Sequence, residues 1–180
     1  MEVRMQIVAL LRGVTPTGKN RIPKMSYLAE ILEGVGFKHV KTYIQSGNIV
    51  LDTDFSLSET TAKIHDTILE KIGADLSVII KTKKDLKTAL TGDPFNDKFD
   101  YSRIHLVFTN DFIDKSKLGK IRETEFFGEI FHDGKECFYL YLPKDAVRMK
   151  LNTNFLEKQL GIIGTMRKLN VIQKLHDMME

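Results

Sequence analysis

Cysteine is almost absent from this sequence: Cys137 is the one thiol in 180 residues. That excludes an internal disulfide framework and fits a reducing compartment. Long hydrophobic runs are missing too. The longest, such as 7–11 and 138–142, are strand-sized and too short to span a bilayer. The opening Met1-Glu2-Val3-Arg4 carries an acid and leads to neither an extended apolar region nor a small-residue cleavage site, so no secretory leader is read there. Proline and glycine, at 4 and 12, punctuate the chain without forming a low-complexity tract. A large excess of one charge is also lacking, and a net +3 is too small to single out nucleic acid as a partner. What is present is 42% hydrophobic residues, enough for a chain of this length to bury about 70% of its unfolded surface without staples. A globular protein of the cytoplasm is expected.

Residues 5–12 read as a strand, followed by a loop through Pro23. Leu28, Ile31, Leu32 and Val35 recur at helical spacing, predicting a helix over 25–33 closed by Gly34 and Gly36. Residues 39–45 and 48–52 alternate as two strands around Ser46-Gly47. Ser56 followed by Glu59 is a capping box, and Leu57, Ile64, Ile68 and Ile72 form the stripe of the helix it opens, which Gly73 ends. A strand over 76–81 completes a βαββαβ order, the split-βαβ or ferredoxin-like pattern. The second half repeats it loosely. A short helix over 83–90 reaches the breaker Gly92-Asp93-Pro94. A strand over 103–109, a weak helix over 113–122 and a hairpin around Asp133-Gly134 follow. Two helices are predicted to close the chain, one opening at Asn154, the other running from Thr165 to Met179. The expected architecture is α+β: two ferredoxin-like halves, 1–82 and 83–180, the second degenerate, with largely antiparallel sheets packed into one folding unit.

In a βαββαβ sheet the first two strands run parallel, so the loop after Arg12 and the hairpin at Ser46-Gly47 share one edge. That edge gathers Arg12, Lys19, Asn20, Arg21, Thr42, Tyr43, Gln45, Ser46 and Asn48, with no carboxylate between Val3 and Ala29. Guanidinium forks and amide donors without a competing acid suit a phosphate or carboxylate. The plainer alternative is that Asn, Gln and Ser shape turns while the cations stay solvated. Within the loop, Gly13-Val14-Thr15-Pro16-Thr17-Gly18-Lys19-Asn20 nearly spells the P-loop, yet Asn20 lacks the metal-binding hydroxyl and Pro23 delays the helix that should follow the lysine. On the predicted last helix Arg167, Asn170 and Lys174 would line one face, with Thr165 as N-cap; a cation so near a helix N-terminus favours a negative partner.

Other chemistries have thinner support. Five histidines show no metal-ligand spacing, so no metal site is expected, and no cofactor motif is present. His132 and Cys137 flank one hairpin as a thiol–imidazole pair without a third orienting group, and a small buried hydrophobe is the commoner role for such a cysteine. Tyr139 and Tyr141 share one face of a strand, as base-stacking aromatics do, which makes a nucleic-acid or protein-interaction module the alternative to a ligand site.

The residues also carry a family likeness. Ala9-Leu10-Leu11-Arg12-Gly13, then Gly18-Lys19-Asn20-Arg21-Ile22-Pro23-Lys24-Met25, then Thr42-Tyr43-Ile44-Gln45-Ser46-Gly47-Asn48-Ile49-Val50 resemble the bacterial domain-of-unknown-function family 1697. Asp93-Pro94-Phe95, Asn154-Phe155-Leu156-Glu157 and Thr165-Met166-Arg167 extend the likeness over nearly the whole chain. It implies a small stand-alone protein of two ferredoxin-like halves and brings no activity. The family's polar pattern falls on Arg12, Asn20, Tyr43, Gln45, Ser46, Asn48, Thr165, Arg167 and Asn170. The expected partner is therefore a small anionic ligand, with nucleic acid second and no membrane. Its expected contacts are Arg12 and Lys19 on the anion, Asn20, Gln45, Ser46 and Asn48 around it, Tyr43 as a flat wall, and Arg167 with Asn170 from the last helix.

Overall fold

β1 (Met5–Arg12) is apolar on both faces and buried on both, which places it in the middle of a sheet. The computed structural model describes residues 4–180; Met1-Glu2-Val3, on which the leader reading rests, lie outside the described residues. The chain forms two compact units, one of residues up to Lys83 together with Leu175–Glu180, the other Lys84–Lys174.

In the first unit β1 is followed by α1 (Met25–Glu33), β2 (Lys38–Tyr43), β3 (Asn48–Thr53), α2 (Leu57–Ile72) and β4 (Ser77–Thr82). The strands pair antiparallel in the order β2-β3-β1-β4, as the split-βαβ pattern requires. Register follows from alternation. Ala9 lies opposite Ile49 and Ile80, so these three side chains meet on one face with Ile7, Leu11 and Leu51. Leu28, Ile31 and Leu32 of α1 and Ile64 and Ile68 of α2 close over them. The capping box forms: Glu59 N donates to Ser56 Oγ at 3.2 Å and Ser56 N to Glu59 Oε2 at 3.0 Å. Gly73 ends α2 in the left-handed conformation. Leu57, placed on the predicted stripe, is exposed instead. Thr60 takes the buried place because its hydroxyl meets that of Thr53 at 2.8 Å.

The second unit carries α3 (Lys83–Thr91), β5 (Ile104–Thr109), α4 (Leu118–Arg122), β6 (Ile130–Asp133), β7 (Phe138–Tyr141), α5 (Thr153–Leu160) and β8 (Gly164–Lys168), and α6 (Leu169–Met178) follows. Its sheet has the matching order β6-β7-β5-β8, again antiparallel. Leu118, Ile121, Leu140, Leu156 and Leu160 build its core. Two helix boundaries differ from expectation. Asn152, not Asn154, caps α5, its side chain accepting from Phe155 N at 2.8 Å. The segment with Thr165 and Arg167 is strand rather than helix: Met166 pairs with Val107 and Thr165 with Phe108, and the helical stripe starts only at Leu169. Gly164 makes that pairing fit, because a Cβ there would lie 3.1 Å from Val107 Cγ1.

Candidate functional site

The shared edge of the first sheet is built by two glycine-dependent turns. The hairpin Tyr43–Asn48 turns through Ile44 at φ 50° and Gly47 at φ 81°. Gly47 is required twice over: its backbone is left-handed, and its carbonyl accepts from Leu11 N at 2.9 Å, so close that an added Cβ would sit 2.8 Å from Leu11 Cβ. Asn48, fully buried, locks the turn by donating from Nδ2 to Tyr43 O at 3.0 Å and to Ser46 Oγ at 2.9 Å. Ile44 is a β-branched residue in a conformation that disfavours it, and half exposed, so only half of its side chain packs against the strain.

The loop from β1 to α1 folds on itself. Gly13 and Gly18 are left-handed, Thr15 N donates to Asn20 O at 3.0 Å, Thr15 Oγ1 to Thr17 O at 2.7 Å, and Arg21 N to Gly18 O at 3.3 Å. Between loop and hairpin lies an open cavity of about 460 Å³ lined by Val14, Thr15, Pro16, Arg21, Ile22, Gln45 and Ser46. Its walls carry one guanidinium, one amide and two hydroxyls, and no carboxylate. Among the described residues, the Arg21 and Gln45 side chains make no ion pair or hydrogen bond with the protein.

The residues expected at this edge divide into three groups. Gln45 and Ser46 line the cavity. Lys19 and Asn20 belong to the loop but not to the cavity wall; Lys19 is exposed and Asn20 contributes its carbonyl to the loop's own closure. Arg12, Tyr43 and Asn48 lie on the face of the sheet away from the helices, Arg12 opposite Ser77 and Tyr43 opposite Asn48. Arg167 and Asn170 belong to the second unit. There Arg167 is buried on β8 and donates to Thr165 Oγ1 at 2.6 Å and Met166 O at 3.0 Å, and burial pushes its guanidinium down to about 10. Arg167 thus donates to a hydroxyl and a carbonyl of its own strand. Because Thr165 lies in that strand, it caps no helix, and the face shared by Arg167, Asn170 and Lys174 does not form. The P-loop likeness is local: α1 begins at Met25, beyond Pro23, with no side chain capping it at Lys24.

Elsewhere the structure separates or covers what the sequence placed together. Tyr139 is buried, its hydroxyl donating to Ala89 O at 2.6 Å, and burial pushes its ionisation far up. The ring of Tyr141 is taken up by Phe99 and Phe95, with centroids 4.9 and 5.8 Å away. Buried Tyr139 offers no open face for bases. Cys137 is buried, while His132 is exposed and edge-on to Phe95. One cluster in the first unit has no counterpart in the sequence reading. Buried Asp52 on β3 accepts from Arg4 Nε at 2.7 Å and pairs with His39 Nδ1 at 2.8 Å, His39 standing at a bulge of β2 with φ 52°. Burial raises the Asp52 carboxyl, and the bonds from Arg4 and His39 outweigh it, so it titrates below the usual range. The hairpin register, with Lys38 opposite Asp52, is the signal that could have found it. Among the described residues no three His, Cys, Asp or Glu side chains are grouped to hold a metal, and no helix is long and apolar enough to cross a membrane.

The description "Protein of unknown function (DUF1697)" matches residues 5–139. The chain belongs to the DUF1697 family. That match spans the whole first sheet, its loop and hairpin, and runs into β7. A solved structure, that of the conserved bacterial protein SP0830 from Streptococcus pneumoniae, is similar at a TM-score of 0.74, with 19% identity, over 99% of this chain and 100% of that one. At that identity the likeness speaks for the fold. No curated protein matches the chain.

Proposed function

We propose that this DUF1697 protein binds a small ligand bearing a phosphate or carboxylate, in the cavity between the β1–α1 loop and the β2–β3 hairpin. The observation that carries the proposal is the cavity itself: about 460 Å³, open, walled by Arg21, Gln45, Ser46 and Thr15 without a carboxylate. This falls within the about 300–1,000 Å³ of small-molecule sites, with few polar groups against an apolar wall. Arg21 receives the anion in its fork, Gln45 and Ser46 orient it, and Lys19 adds attraction from the same loop. Strain at Ile44, in the turn that presents Gln45, fits a site whose geometry is held at some expense in stability.

Thermal shift against nucleotides, sugar phosphates and small carboxylates tests this reading, with wild type beside Arg21→Ala and Arg12→Ala. A saturable rise in wild type and in Arg12→Ala, weakened about tenfold in Arg21→Ala, is expected. Equal shifts in all three proteins, or no saturable shift with any anion, would overturn it.

A further inference from the structure

We infer that the anionic group is a single carboxylate on a compact apolar body, and that phosphate esters are poor ligands; this inference rests on the cavity being an anion site. Three observations favour it. A phosphate monoester carries about −1.5 to −2 charge at neutral pH and is held by several cations or by a cradle of backbone N–H groups. The cavity wall offers one cation, Arg21. Of the five loop residues that line the cavity, Pro16 has no N–H, and Thr15 N and Arg21 N are already bonded, to Asn20 O at 3.0 Å and to Gly18 O at 3.3 Å, while Thr15 Oγ1 is turned onto Thr17 O at 2.7 Å. Three of those five residues therefore offer the cavity no backbone donor.

A carboxylate asks for less. One guanidinium matches both its oxygens in a bidentate fork and balances its single charge. Gln45 supplies an amide with no partner in the protein, and Ser46 is oriented by Asn48 Nδ2 at 2.9 Å. The rest of the wall is Val14, Pro16 and Ile22, which desolvate carbon and offer nothing to a sugar hydroxyl. The cavity therefore pairs one charged end with one apolar end.

The experiment is a ¹H–¹⁵N correlation titration of the full chain with acetate, butyrate, 3-phenylpropionate, 3-phenylpropan-1-ol, phenyl phosphate and glucose 6-phosphate. Amides of 14–22 and 45–46 should shift saturably, with 3-phenylpropionate about tenfold tighter than acetate as apolar area is buried. It should also exceed phenyl phosphate and the neutral alcohol by about tenfold, the margin one charge-matched fork provides. Arg21→Ala should erase the advantage over the alcohol, and Gln45→Ala should weaken binding while leaving the order of ligands intact. Both residues are exposed, so the variants fold. Tighter binding of either phosphate would overturn the carboxylate assignment and leave the anion site standing. No saturable shift with any anion would overturn both, and so would equal affinity for acid and alcohol. Saturation mapped to amides outside these segments would overturn the cavity as the site.

Discussion

The two sheets share one strand order, yet their corresponding edges differ in how their polar groups are bonded. In the first unit the edge where β1 ends and the β2–β3 hairpin turns holds Arg21, Gln45 and Ser46 around open space. In the second, the edge where β5 ends and the β6–β7 hairpin turns carries carboxylates that are already bonded. Asp111 Oδ2 accepts from Ile163 N at 2.7 Å, and Asp114 Oδ1 from Ser116 N at 3.0 Å and Ser116 Oγ at 2.6 Å. Asp133 is held by Arg122 at 2.7 Å, a bond that keeps its carboxyl below the usual range. The hairpins diverge likewise. Gly47 packs on a strand backbone and leaves a cavity beside it, whereas Gly134 lies under the Tyr139 ring, which fills the corresponding turn. One edge consumes its own polar groups and the other presents them. The same topology therefore does not imply the same use.

The comparison breaks first at the two glycines. Gly47→Ala meets two penalties, a left-handed backbone and a Cβ at 2.8 Å from Leu11 Cβ, and should lower stability by about 3 kcal/mol. Gly134→Ala meets one, a Cβ driven into the Tyr139 ring and 2.8 Å from Cys137 O, and should lose about 2 kcal/mol. Urea midpoints of both variants measure this. A neutral Gly47→Ala would show that the hairpin does not rest on β1 as described.

Relief of strain sharpens the contrast from the other side. Ile44 is 50% exposed at φ 50°, so replacing it with Asn, which tolerates that conformation, should raise stability by about 1 kcal/mol while removing little buried area. The urea midpoint should rise with the slope unchanged. A fall would mean that the isoleucine side chain is held by packing, and that the turn next to Gln45 stores no strain.

Legibility in the sequence follows the reach of each signal. Alternation, helical spacing and the capping box are local, and they placed every element of the first unit. β8 escaped because Gly164-Thr165-Met166-Arg167-Lys168 has too little periodicity of its own and abuts the strong stripe of α6. Its pairing with β5 is non-local, visible only in register. At the candidate site, composition pointed to the edge where the cavity lies but named Arg12 rather than Arg21, the cation of the cavity wall. Strand alternation held the missing information: Leu11 faces the helices, so its neighbour Arg12 faces away, whereas Arg21 is carried to the cavity by a loop path that no periodicity encodes.

The smallest expected effect is on titration, and it differs in sign between the units. In the first, Asp66 Oδ1 at 3.0 Å from His65 Nδ1 and Asp75 Oδ1 at 2.7 Å from Nε2 raise the imidazole above its ordinary 6.5. In the second, burial lowers His105 below 6.5, against the bond of its Nδ1 to Arg103 O at 3.0 Å. A raised folded value stabilises fully below 6.5 and fades as pH rises through the folded value; a lowered one gives stability present above 6.5 that is lost as pH falls through the folded value. Acidification from neutrality should therefore strengthen the first unit at His65 and weaken the second at His105. Imidazole Hε1 shifts followed from pH 5 to 8 (about the range in which histidine titrates) should place His65 above and His105 below 6.5, the ordinary value. Asp75→Asn should move only His65, downward. If His105 titrated at or above 6.5, its burial would not penalise the charge, and the contrast between the two units would be confined to the edge where the cavity opens.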